Sequence, residues 1–182
     1  MNERKGTWTG WPGRVLLLAG LLAAVSVRAE APALVVAPFD LIDDHPDPAR
    51  AADQERRLSA IRGQFVDGVE SHGLYRVAAP GAAADALARL RAQREFLYDC
   101  PPCKTELGKA AGVRLVAVGW VQKVSNLILN INVEISDAGS GRVVFVKSVD
   151  IRGNTDESWM RGMRFLVREL AERGQAGKLP GG

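Results

Sequence analysis

The chain has 182 residues, 47% of them apolar, with 24 Lys and Arg against 21 Asp and Glu, two His and two Cys. Four of the bases (Arg4, Lys5, Arg14, Arg28) and one acid (Glu3) fall in the first 29 residues, so the rest carries 20 of each and no net charge. That balance, with no clustered basic face, excludes a nucleic-acid binder, and the length supports one domain with its own core.

The basic start leads into residues 15–27, a nearly unbroken apolar run, and Val27-Arg28-Ala29 offers small residues at −3 and −1 for cleavage after Ala29. That order is the grammar of a secretory signal peptide. The run is shorter than the about 20 residues of a membrane span. An uncleaved anchor is the alternative, because Arg28 sits at −2. No Cys follows the run to carry a lipid, and no twin arginine precedes it. The sequence thus predicts a signal peptide over 1–29, a single domain over 30–174, a disordered tail over 175–182 and a periplasmic address. Membrane contact is expected only through the signal before cleavage.

Residues 34–37 are all apolar and stop at Pro38, which suggests a central strand buried on both faces. Residues 40–47 hold Asp43, Asp44, His45 and Asp47 and read as a solvated acidic loop. They lack the glycine and distal glutamate of a calcium loop, so no metal site is expected. Residues 50–72 form a helix with Leu58, Ile61, Phe65, Val66 and Val69 on one stripe, stopped at Gly73. A short strand over 74–78 follows. A second helix over 82–98 carries Ala83, Leu87, Leu90 and Leu97 inward and Arg89, Arg91 and Arg94 outward as a solvated face.

A short helix over 105–111 ends at Gly112. Three strands follow, over 113–124, 127–136 and 142–151, with turns at Ser125-Asn126 and over 137–141. The middle strand alternates strictly. Leu127, Leu129, Ile131, Val133 and Ile135 share one face, and Ile128, Asn130, Asn132, Glu134 and Ser136 the other. Asn154 with Glu157 gives a capping-box-like start to a last helix whose stripe is Trp159, Met163, Leu166, Val167 and Leu170. The fold expected is α/β (α+β): one mixed sheet of about five strands, a β-α-β unit plus an antiparallel three-strand meander, with helices packed on it.

Three places could carry chemistry. In an oxidising compartment Cys100 and Cys103 should be bonded to each other or poised to exchange. A structural disulfide would fix the turn between two helices. A thioredoxin-type centre also uses this spacing at a helix start, although there a strand, not a helix, precedes the pair. Haem attachment fails because residue 104 is Lys, and zinc fails for want of nearby ligands. The second place is Arg152, Asn154, Asp156, Glu157 and Trp159, leaving the last strand and opening a helix. Helix starts favour anions, but Asp156 and Glu157 already occupy this one. The third is the strand face of Asn130, Asn132 and Glu134, a solvated face or a partner surface. Ser71 and His72 adjoin only in sequence, and no nucleophile elbow, Walker loop or dinucleotide glycine pattern occurs. Whether the protein is an enzyme stays open, with a non-catalytic protein favoured and no cofactor expected.

Several stretches carry a resemblance. They are Leu34-Val35-Val36-Ala37-Pro38-Phe39-Asp40, then Glu106 to Arg114 leading into Leu115 to Val121, then Ile131 to Val144 with its Asp137-Ala138-Gly139-Ser140-Gly141 turn. Over about residues 33–152 the pattern resembles the N-terminal α/β domain of TolB and its CsgG-like relatives. The whole chain is also similar to an uncharacterised family of small exported bacterial proteins. The chain departs from TolB in lacking propeller repeats and from CsgG-like pores in lacking a lipid-anchoring Cys. The resemblance implies a non-catalytic binding or assembly module of the cell envelope, partnered by another envelope protein. The alternatives are a thiol–disulfide protein acting through Cys100 and Cys103 and, more weakly, a hydrolase with a cleft between Arg152 and Trp159. Oligomeric state is not legible.

Overall fold

The computed structural model describes residues 30–79 and 81–179, so the expected signal peptide lies outside the described residues. The elements in chain order are β1 (Ala33–Val36), β2 (Asp40–Asp43), α1 (Ala51–Ser71), β3 (Arg76–Val77), α2 (Ala84–Gln93), α3 (Pro101–Ala111), β4 (Leu115–Lys123), β5 (Ile128–Asp137), β6 (Val143–Arg152) and α4 (Asp156–Gln175). They form the expected mixed sheet with helices packed on it. It has six strands in the order β3-β1-β4-β5-β6, with β2 also beside β4. β1 pairs in parallel with β3 and β4, and β4, β5 and β6 make the antiparallel meander.

The added strand is β2. It lies within the segment expected to be a solvated acidic loop, and the reason is long-range. β1 and β2 run along the same side of β4, residues 34–36 opposite 115–117 and residues 40–43 opposite 120–123. The three residues between them face only two of β4, so the strand bulges where Pro38 has no N–H to give. Arg62 of α1 donates to the carbonyls of Val36 and Ala37 at 2.7 and 3.1 Å, satisfying the broken ladder. The Phe39 ring lies over Gly119, where an added Cβ would sit 2.5 Å from the ring. Past the bulge, Asp40 and Asp43 are not solvated. Asp40 takes Arg91 and the Leu97 N–H, and Asp43 takes Lys123 at 2.7 Å. Arg91 is therefore not part of a free solvated face. Its pull on Asp40, Pro38 and the Glu95 carbonyl accompanies the end of α2 at Gln93, short of the expected residue 98.

The sheet has two unlike faces. One is covered by α1 and α4, which bury Ile61, Phe65, Trp159, Met163 and Leu166 against Leu34, Ile131 and Val133. Each such side chain removed from water contributes roughly 1.5–3 kcal/mol. Gly162 lets α4 approach closely, since a Cβ there would meet Ile151 at 2.5 Å. The other face is covered by α2 and α3, whose apolar cluster of Leu90, Leu97, Cys103 and Leu107 draws on β1 and β4 and not on β5 or β6. The cap of α4 is Thr155 with Ser158, not Asn154 with Glu157. Asn154 instead receives the Trp159 indole N–H and one arm of Arg57. After α4, Gly177 (φ 65°) turns the chain and Leu179 rests on the core.

Candidate functional site: the open face and edge of the sheet

Because successive side chains alternate, Asn130, Asn132 and Glu134 point away from α1 and α4. Register places them in cross-strand rows: Gln122, Asn130 and Asp150; Trp120, Asn132 and Ser148; Val118, Glu134 and Val146. Asn130 holds its row together, its amide donating to Asp150 at 2.6 Å and its carbonyl oxygen accepting from Ser148 at 2.6 Å. Glu134 accepts from Lys104 of α3 at 2.6 Å and from Ser136 at 2.6 Å. Lys104 is thus the bridge from α3 onto the otherwise open β5–β6 half.

Trp120 carries an aromatic step on the same face. Its ring stacks on Tyr98 with centroids 4.6 Å apart, and Tyr98 meets Phe96 at 5.8 Å. The sequence reading missed this trio. The available signal was the strand's own alternation, which sets Trp120 beside Val118 and Gln122 on the face shared with Asn132. Arg152 ends the same face, opposite Ile128. β6 is the end strand on this side of the sheet. Beside it, a groove of about 490 Å³ runs between the strand and α4, lined by Lys147, Arg152, Ser158, Arg161, Gly162 and Phe165 among others.

The second expected group separates from the first. Asn154, Asp156 and Trp159 serve the junction of α4 with α1 and the β4–β5 turn. Asn154 also donates to Asn126 at 3.1 Å, and Arg57 reaches Asp156 at 2.6 Å. Hydrogen bonds from Arg57 and Arg56 hold the Asp156 carboxyl below its usual range. Trp159 has no exposed surface. Glu157 is exposed and paired with Arg161. The Ser158 hydroxyl is committed to the cap and to the Gly153 carbonyl. In the acidic segment, burial raises the Asp43 carboxyl, but hydrogen bonds from Lys123 and the His45 N–H outweigh it and hold the group below its usual range.

Cys100 and Cys103 are joined in a disulfide at the start of α3, with Cys100 as N-cap and Pro101 in the first turn. Both are buried, at 5% and 2% exposure, within the core under α2 and α3. Among the described residues no group of three or more His, Cys, Asp or Glu could hold a metal, and no helix is long and apolar enough to cross a membrane.

Residues 32–170 match the family described as "Protein of unknown function (DUF2380)". The chain belongs to that family. No curated protein matches it. Lipoprotein GNA1162 from Neisseria meningitidis shares the fold at 13% identity and a TM-score of 0.50, over 78% of this chain and 99% of that one. Weaker likenesses are the LpoB C-terminal domain from Salmonella enterica (10% identity, TM-score 0.44, 70% and 87% covered) and TolB from Acinetobacter baumannii (11%, 0.45, 79% and 29%). At these identities the likeness is one of fold. The likeness to GNA1162 agrees with the mixed α/β architecture expected from the sequence.

Proposed function

We propose that the protein is a non-catalytic binding or assembly module of the bacterial envelope, exported to the periplasm by a signal peptide cleaved after Ala29. Its β5–β6 sheet face meets another envelope protein through Asn130 and Arg152 with exposed Ser148 and Asp150, over a floor of buried Asn132 and the Lys104-paired Glu134. The observation that carries this reading is the asymmetry of the sheet. Two long helices cover one face as far as the groove beside β6, while the β5–β6 half of the other is left with a polar row beside the Tyr98–Trp120 stack. The fold of GNA1162, named as a lipoprotein, is consistent with an envelope setting. Against the hydrolase alternative, the groove by β6 holds no histidine, Ser158 is spent in a cap and Asp156 is clamped by two arginines. Against the redox alternative, both cysteines are buried, at 5% and 2% exposure, whereas exchange requires an attacking thiolate to reach a sulfur.

The test is photo-crosslinking in living cells from position 148, with exposed position 67 on α1 as control. Position 148 is expected to trap one envelope protein repeatedly and position 67 none. Equal adducts from both, or none from 148, would remove the face from consideration.

A further inference from the structure

We propose that the outer edge of β6 takes up an extended segment of a partner protein, rich in apolar and acidic residues, as a further strand of the sheet. This rests on reading the protein as a partner-binding module and names the class of partner. β6 is ten residues long and, among the described residues, no strand pairs with its outer side. A long bare edge is a ready template for another chain, and proteins usually shorten it, cover it or break it with proline. β6 contains no proline, and α4 stands off to leave a groove alongside it.

What flanks the edge points to the occupant. Six large apolar side chains are exposed among the described residues, and three of them line this edge: Val143 at 46%, Val146 at 54% and Phe165 at 38%. Phe165 stands on the α4 side and Val146 on the opposite face. An incoming strand, whose side chains alternate, would meet one apolar contact on each face. The charge is basic on balance: Lys147, Arg152 and Arg161 line the groove against one acid, Asp150, and Lys147 is paired with Glu169 at 2.9 Å. Arg152 and Arg168 make no ion pair among the described residues, and Arg168 lies 5.0 Å over the Phe165 ring with Lys147 at 5.6 Å. Arg161 is held only by an exposed pair with Glu157, which is weak. Pairing β6 with a second copy about a two-fold axis would bring two edges of the same basic balance together. An acidic segment meets this edge favourably.

The test titrates the chain lacking residues 1–29 with a designed peptide of about ten residues, matched to β6, in repeats of two valines and two glutamates. Each face of that peptide presents both residue types. Chemical-shift changes and new hydrogen-exchange protection are expected along β6 and at Phe165. Phe165→Ala, at an exposed position that leaves folding intact, and a peptide with lysine for glutamate should each weaken binding roughly tenfold or more. Absence of binding, or binding elsewhere, overturns the proposal. So does protection of β6 that grows with protein concentration alone, which would mark a second copy. Crosslinking from position 148 reads the partner independently. If it persists while the edge stays empty, only the strand reading falls. If it fails as well, the binding-module reading falls too.

Discussion

In the half of the sheet built by β1, β2 and β4, side chains are buried on both faces. Leu115, Val116, Ala117 and Val118 follow one another without an exposed residue. In the half built by β5 and β6 the strands alternate, and burial on β6 falls to Phe145 and Ile151. The first half also carries buried charges, Asp40 with Arg91 and Asp43 with Lys123. The second buries charge only on β5, Glu134 with Lys104 and Asp137 with Arg114, while Asp150 and Arg152 of β6 are exposed. Stability is therefore concentrated where the strands are parallel, and freedom to change is concentrated where the sheet is open.

The strongest test of that contrast is Lys123→Ala. Both side chains of the pair are nearly inaccessible, at 5% and 6%. Removing the lysine strands a buried carboxylate, at a cost of about 3–5 kcal/mol. Urea unfolding should show the full loss near neutral pH. The folded Asp43 carboxyl is held below its unfolded value, so its contribution is present above the unfolded pKa and is lost as pH falls through the folded one. The variant should lack that acid-side dependence. A loss comparable to that of a surface change would erase the distinction between the halves.

Gly119→Ala probes the bulge. The new methyl would press on Phe39, itself packed on Phe65 at 6.2 Å. Overpacking of this kind costs about 1–3 kcal/mol, and Phe39→Leu in the same chain should recover part of it. Full stability in the single variant would show that the bulge can shift to make room. Replacing both cysteines by alanine should cost about 2 kcal/mol or less, because the closed ring is so small. The native disulfide should resist labelling after mild reductant until the chain is unfolded. Rapid reduction in the folded protein would restore the thiol–disulfide reading.

Much of the open half was legible because its signals are local. Alternation from Leu129 to Ser136 assigned the faces of β5, although Leu127, expected on the buried stripe, lies in the turn and is 72% exposed; the stripe from Trp159 to Leu170 assigned the buried side of α4. The parallel half was less legible because its decisive contacts span long separations. Asp40 finds Arg91 and Leu97 more than fifty residues on, and Asp43 finds Lys123 eighty residues on. Read alone, those aspartates are loop residues. They sit in a strand because the sheet supplies partners. The same blindness hid the Tyr98–Trp120 stack, while the run from Arg152 to Trp159, continuous in sequence, divides in space between an exposed strand end and a buried junction.

Tyr75 lies under the covered face, 2% exposed, and its hydroxyl finds no partner among the described residues. Tyr75→Phe removes an unsatisfied buried group and should stabilise by about 1 kcal/mol. Burial pushes the Tyr75 phenol up to about 12. The unfolded phenol ionises near its ordinary value of about 10. Stability of the parent should thus hold below pH 10 and fall between about 10 and 12, whereas the variant should lose less over that window. Parallel decline of the two with pH would show that the hydroxyl is reached by water.

The smallest effect is expected on the open face. At the surface Asn130 accepts from Ser148 and donates to Asp150. Replacing Ser148 by alanine removes one exposed hydrogen bond that water can replace, so stability should change by no more than about 0.5 kcal/mol. The same substitution lies in the row with Trp120 and Asn132, where the partner is expected to sit. A thermal melt unchanged beside a loss of partner capture separates the two roles of the sheet. A melt lowered as far as that of Gly119→Ala would mean that this half, too, holds the fold together.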